Sequence, residues 1–204
     1  AGEAVLTFDR DQAQQVIIRE KRVNAFELKI DSDVEDTIAL YNPVAIDLRF
    51  VLAMFKINND LERLGDFAEG IARFVLRSEE TALDGELLHS LRIEEMLKQV
   101  LGMLEMAKTA LNEEDLELAL SVFGKDNLLD DINAAAPSVL ADYLAAHPYG
   151  VQTCLELGTV IRKLERAGDH ITNIAEEIVF FIDAKVLKHC NKVDEHLLGK
   201  EKIH

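Results

Sequence analysis

The residues of this 204-residue chain best placed to do chemistry are carboxylates, and two pairs of them recur in matching surroundings. Glu62 and Asp66 are four apart, as are Glu165 and Asp169. On an α-helix that spacing sets two acids side by side on one face, where like charges repel. One such pair means little, because 38 acidic residues in this chain generate roughly seven by chance. The run around the pairs sets them apart. Asp60 to Ala72 (DLERLGDFAEGIA) and Lys163 to Ala175 (KLERAGDHITNIA) agree at seven of thirteen positions, including all of Leu-Glu-Arg-x-Gly-Asp. A weaker match lies upstream, where Ala4, Asp9, Ala13, Val16 and Glu20 correspond to Ala110, Asp115, Ala119, Val122 and Asp126. Self-similarity of this length marks a duplicated unit that spans two helices.

Each unit reads as a helical hairpin, with turns near Asn42 and Pro148. Counting equal distances from the first turn sets Glu62 opposite Asn24 and Asp66 opposite Glu20, with Glu27 one turn along. The second hairpin sets Glu165 against Asp130 and Asp169 against Asp126, with Asn133 a weaker addition. Oxygen-bearing side chains hold the same places in both copies although their identities differ. Four or five such groups converging on a helix pair carry a charge that a cation would offset, so a hard-metal site is expected in each copy. The expected ligands are Glu20, Asn24, Glu27, Glu62 and Asp66 in the first copy and Asp126, Asp130, Glu165 and Asp169 in the second. Arg63, Arg166 and Asn173 are the neighbours expected to orient or screen them. Gly65 and Gly168 precede the second acid in mid-helix, where glycine costs about 1 kcal/mol relative to alanine, which suggests a close backbone approach. The alternative is that the acids decorate a solvated face, and the duplicated pattern weighs against it.

Catalytic readings are weaker. A di-iron oxidase on a bundle needs Glu-x-x-His motifs beside its carboxylates. Glu86 with His89 and Glu201 with His204 have that spacing, but neither accompanies the acidic stripes. His170 follows Asp169 and points about 100° from it, as a surface or supporting histidine would. No phosphate-cradling GxxxxGK[ST] and no GxSxG occurs, so no catalytic residue is expected and the chain is read as a non-enzyme.

Stepping out to the elements that hold these residues, apolar spacing of helical period defines segments at roughly 9–40, 44–78, 84–112, 114–147 and 150–189. Pro137 falls inside the fourth, where it should kink or divide the helix. With three prolines, ten glycines and 49% hydrophobic residues the class is all-α, with short connections making neighbouring helices antiparallel. The second copy has a helix, 84–112, ahead of its matching pair, and the first does not. The expected architecture is two tandem three-helix bundles, the first lacking its N-terminal helix in this chain. The units are placed at 1–80 and 84–190, followed by a tail at 191–204.

A net charge of −16 repels phosphate backbones and anionic lipid at long range, so nucleic acid and membrane surfaces are not expected partners. Cys154 and Cys190 lack CxxC spacing, and there is neither a leader-like segment nor an apolar run of transmembrane length. A cytoplasmic location is expected.

Four stretches resemble the PhoU family of phosphate-uptake regulators: Arg22 to Asp31, Asn42-Pro43 through Arg49, LERLGD at 61–66 and LERAGDHITNIAEEIVFF at 164–181. The resemblance covers nearly the whole chain. It implies two three-helix bundles, multinuclear iron or other metal clusters on the carboxylate-rich faces, with zinc, manganese or magnesium as alternatives, and a dimerising tendency. It further implies a negative regulator of phosphate uptake and phosphate-starvation signalling. Such a protein would contact the ATPase of the phosphate ABC transporter and the membrane sensor histidine kinase. The alternatives are a carboxylate-bridged metalloenzyme on a helical bundle and a cytosolic regulatory domain of a phosphate cotransporter. The copies also depart from each other, with Gly70 and Arg73 in the first where the second has Asn173 and Glu176.

Overall fold

The structure is a computed structural model that describes residues 1–80 and 82–184. Eight helices are described: α1 (Gly2–Leu6), α2 (Arg10–Tyr41), α3 (Ile46–Arg77), α4 (Gly85–Ser90), α5 (Ile93–Glu113), α6 (Leu116–Val122), α7 (Asn127–Ala146) and α8 (Val151–Asp183). No strand occurs among the described residues. The all-α expectation therefore holds.

The duplication extends to the backbone. Phe8 and Glu114 both take the left-handed conformation, each with φ of 52°. The amide of Asp9 donates to the carbonyl of Ala4 at 3.0 Å, and that of Asp115 to the carbonyl of Ala110 at 2.9 Å. The Asp9 and Asp115 side chains then accept from the amides of Gln12 and Leu118, capping α2 and α6. The short α1 is thus the counterpart of the last turn of α5.

Two segments differ from their sequence-based bounds. The stretch 84–112 divides at Leu91 and Arg92, where Arg92 has φ of 54°. The stretch 114–147 divides at 123–126, while Pro137 lies inside α7. The physical reason for that break is local. Gly124 adopts φ of 77°, which glycine takes without steric cost, whereas the first copy has Ile18 there and α2 runs unbroken. The last part of the 150–189 segment and the 191–204 tail, with Cys190, Glu201 and His204, lie outside the described residues.

Helix α8 is central. It packs against α3, α5, α6 and α7, while α2 lies along α3. Leu157, Ile161, Ile171 and Ile178 on α8 are fully buried, so one apolar stripe runs the length of this helix. Polar clamps fix the register of the helices that carry the acids. Asn58 Nδ2 donates to the Glu27 carbonyl at 2.9 Å and to Asp31 Oδ1 at 2.8 Å, tying α3 to α2. Between α3 and α8, Lys56 Nζ meets Glu177 at 2.8 Å and Asp60 Oδ1 meets His170 Nδ1 at 2.7 Å. The outer face of the first hairpin is more open than that of the second: Phe26 and Leu61 are 57% and 41% exposed, whereas their counterparts Ile132 and Leu164 are each 3% exposed. No helix among the described residues is long and apolar enough to cross a membrane.

Candidate functional site

In the second hairpin, one carboxylate oxygen from each of Asp130, Glu165 and Asp169 lies within 4.8 Å of the other two. Asp130 comes from the first turn of α7, and Glu165 and Asp169 from successive turns of α8. Burial and the charges of Asp169 and Asp130 raise the pKa of Glu165 above the ordinary glutamate value, against the opposing pull of Arg166 and Arg162. Asp126 stands at the start of α7, and its Oδ1 is buried without a hydrogen-bond partner. Asp126 Cβ lies 3.8 Å from where a side chain on Gly168 would begin, which puts Asp126 beside the Glu165–Asp169 face.

The first hairpin brings the corresponding residues together. Asn24 Nδ2 donates to Glu20 Oε1, and Asn24 Oδ1 is left buried and unpaired. Glu62 has its pKa raised by burial first and then by the charges of Asp66, Glu27 and Glu20, with Arg63 acting the other way. All four acids therefore share one electrostatic neighbourhood. Glu20 is 8% exposed, a depth at which a carboxylate needs a hydrogen-bond donor or a cation beside it.

The glycines explain how the helices approach. A methyl group on Gly168 would run into Leu129 Cδ1, and one on Gly65 would come 3.2 Å from Val23 Cγ1. Val23 and Leu129 occupy the same place in the two copies, so the close approach expected from the mid-helix glycines is present in both.

The neighbouring groups divide. Arg63 reaches Glu62 at 3.7 Å and Asp66 at 3.4 Å, so it spans the acid pair. Arg166 instead lies over the Phe67 ring at 5.1 Å and acts on Glu165 at longer range. Asn173 is exposed on α8. His170 points away from Asp169 toward α3, where it meets Asp60 and the Phe67 ring. Glu86 and His89 are exposed on α4. Glu69, Thr172 and Lys163 were not singled out by spacing. Continuing the acidic stripe by three residues reaches Glu69 and Thr172, and Lys163 opens the repeated motif that was already aligned.

Hard oxygen donors, converging carboxylates and buried unpaired oxygens in both copies fit a hard or borderline cation such as iron, manganese, magnesium or zinc. Among the described residues no histidine or cysteine joins either group of acids, and the oxygen-only donor set is a poor fit to a soft metal.

Comparison with known proteins places these features in a family. A family model described as the PhoU domain matches residues 1–75 and 93–178, one match for each copy. A Caulobacter vibrioides protein named phosphate-specific transport system accessory protein PhoU homolog is 35% identical over 90% of this chain and 79% of its own length. A Thermotoga maritima protein named as homolog 1 of the same accessory protein is 28% identical, over 92% of this chain and 80% of its own length. The crystal structure of PhoU from Pseudomonas aeruginosa superposes with a TM-score of 0.82 at 30% identity, covering 90% of this chain and 87% of that one. The phosphate transport system regulatory protein PhoU from Streptococcus pneumoniae gives a TM-score of 0.78 at 29% identity, covering 90% and 84% of the two chains. These relatives are named as accessory or regulatory proteins rather than enzymes, in line with the expectation from the sequence.

Proposed function

The chain belongs to the PhoU family, and from that membership and its two acidic sites we propose that it is a metal-binding accessory regulator of phosphate transport. Its role is to restrain phosphate uptake and phosphate-starvation signalling from the cytoplasm, through contact with the transporter ATPase and the sensor histidine kinase. The accessory role is supported by the names of its relatives. Metal binding is supported by one observation above others: the Asp130, Glu165 and Asp169 oxygens converge within 4.8 Å beside the buried, unpaired Asp126 Oδ1. Three like charges at that separation repel unless protonated or neutralised, and a multivalent cation supplies the neutralisation.

Glu20, Asn24, Glu27, Glu62 and Asp66 would hold the first metal group, and Asp126, Asp130, Glu165 and Asp169 the second. Iron in multinuclear clusters is the leading candidate, with zinc, manganese and magnesium behind it. The metal would brace two helices of each hairpin against each other, so that a change in occupancy alters the helical faces offered to protein partners or to a second copy of the chain.

Elemental analysis of the purified chain, with Asp66→Ala and Asp169→Ala, tests this. Each substitution is expected to lower the bound metal, and the double variant to lose nearly all of it. If neither changes the metal content, the acids are ordinary surface charge and the metal-binding role is lost.

A further inference from the structure

Along α3 the acidic stripe continues from Glu62 and Asp66 to Glu69 and Arg73. Along α8 the same stripe runs Glu165, Asp169, Thr172 and Glu176. The two copies therefore carry opposite charges at their last position. We propose that Arg73 is a built-in cation of the first site, so that this site takes fewer metal ions than the second.

Three contacts carry this. Arg73 Nη2 donates to Glu69 Oε1 at 2.6 Å and lies within electrostatic reach of Glu20. A guanidinium so placed occupies the end of the site that, in the second copy, is bordered by Asp126, Thr172 and Glu176. There, Asp126 Oδ1 and Thr172 Oγ1 are buried without hydrogen-bond partners, while their counterparts Glu20 and Glu69 each accept a hydrogen bond from within the protein. The first site retains one such orphan, Asn24 Oδ1, at the tier nearer the hairpin turn.

The third contact comes from the other repeat. The Lys163 side chain passes over Gly70, so close that a methyl group there would collide with its Nζ and Cε, and its charge bears on Glu69. The equivalent residue in the first copy is Asp60, which pairs with His170 on the side of α8 turned away from Asp169. The crossing from the second repeat thus delivers a cation to the rim of the first site. Arg73 and Lys163 together repel a further multivalent cation from the Glu69 end of the first site. At the second site a cation meets the unpaired Asp126 and Thr172 oxygens instead.

This inference rests on the metal-binding role proposed above, and the test separates the two. The intact chain is dialysed against Mn²⁺ and the bound ion counted per chain, in Asp169→Ala to isolate the first site and in Asp66→Ala to isolate the second. Asp66→Ala is expected to retain about one Mn²⁺ ion more per chain than Asp169→Ala. Adding Arg73→Glu to Asp169→Ala should raise its count and close the difference, whereas Arg73→Lys, which keeps the charge, should leave the low count unchanged. Arg73 is 47% exposed along its side chain, and thermal melting reports whether each variant keeps its fold. Equal retention by the two single variants, or no gain from Arg73→Glu in a chain that melts normally, overturns the proposal and leaves metal binding standing. A wild-type chain that binds no Mn²⁺ overturns both.

Discussion

Glu62 and Glu165 are the residues on which burial and the repulsion within each acidic group are felt as a raised pKa. Each sits between other acids in a partly buried place, and burial is the largest reason that its pKa rises. A carboxyl whose folded-state pKa exceeds its unfolded value favours folding below the unfolded value, and that contribution is lost as pH rises through the folded pKa. In metal-free protein at neutral pH, both ionised glutamates therefore oppose the fold. Glu62→Gln and Glu165→Gln are expected to raise the melting temperature of chelator-treated protein at about pH 7.5, and the gain should fade toward about pH 4, where the wild-type side chains are protonated. Addition of Mn²⁺ should invert the order at neutral pH, because the amide is a poorer ligand than the carboxylate it replaces. A gain that persisted unchanged at low pH would mean that repulsion between acids is not its source.

At the scale of the elements, the separation of the two helices in each hairpin is set by a glycine opposite a branched side chain. Alanine in place of glycine favours a helix by about 1 kcal/mol, but a crowded core charges about 1–3 kcal/mol for an added carbon. At Gly168 the added methyl meets Leu129, which is fully buried, so crowding wins. Gly168→Ala is expected to lower the unfolding free energy by up to about 2 kcal/mol in urea titration, the crowding cost less the helix gain. At Gly65 the Val23 methyl is 3.2 Å away on a half-buried residue, and Gly65→Ala should be neutral or slightly stabilising. A Gly168→Ala chain more stable than wild type would show that the glycine does not set the approach. The same pair of residues shows what the sequence alone makes legible. The repeat aligned Gly65 with Gly168 and Glu62–Asp66 with Glu165–Asp169, and hairpin counting found the acids that face them, because antiparallel helices joined by a short turn leave little freedom of register. The break between α6 and α7 was not legible in this way, since Gly124 and Pro137 both invite an interruption, and spacing does not say that the chain turns at Gly124 and runs on helically through Pro137. Nor was Lys163 over Gly70: contacts between hairpins depend on how α3 crosses α8, which no spacing within either helix encodes.

The two repeats are not independent bodies. A single buried cluster runs from Ala4 on α1 through Ile71 on α3 to Ile178 on α8, and α3 packs directly along α8. One cooperative unfolding transition is expected on those grounds. Within that interface the Lys56–Glu177 pair is unequal: the Lys56 side chain is 42% exposed and that of Glu177 is 9% exposed. The ammonium also lies 5.5 Å from the centre of the Phe180 ring. Removing one partner of a buried pair strands the charge of the other, and the cost follows how far that survivor is from water. Lys56→Met leaves an ionised carboxylate buried in α8 and should cost about 3 kcal/mol. Glu177→Gln leaves a lysine able to extend into solvent and should cost about 1 kcal/mol. The position equivalent to Glu177 in the first repeat is Phe74, 7% exposed, so the interface tolerates an apolar group at that place in the other copy. The double variant Lys56→Met with Glu177→Leu should accordingly recover most of the loss seen in Lys56→Met alone. Urea unfolding of wild type, Lys56→Met, Glu177→Gln and the double variant, followed by far-ultraviolet circular dichroism, measures each loss. If Lys56→Met and Glu177→Gln lost equal stability, Glu177 would be as well hydrated as its partner, and the pair would be a surface contact rather than a buried tie between the repeats.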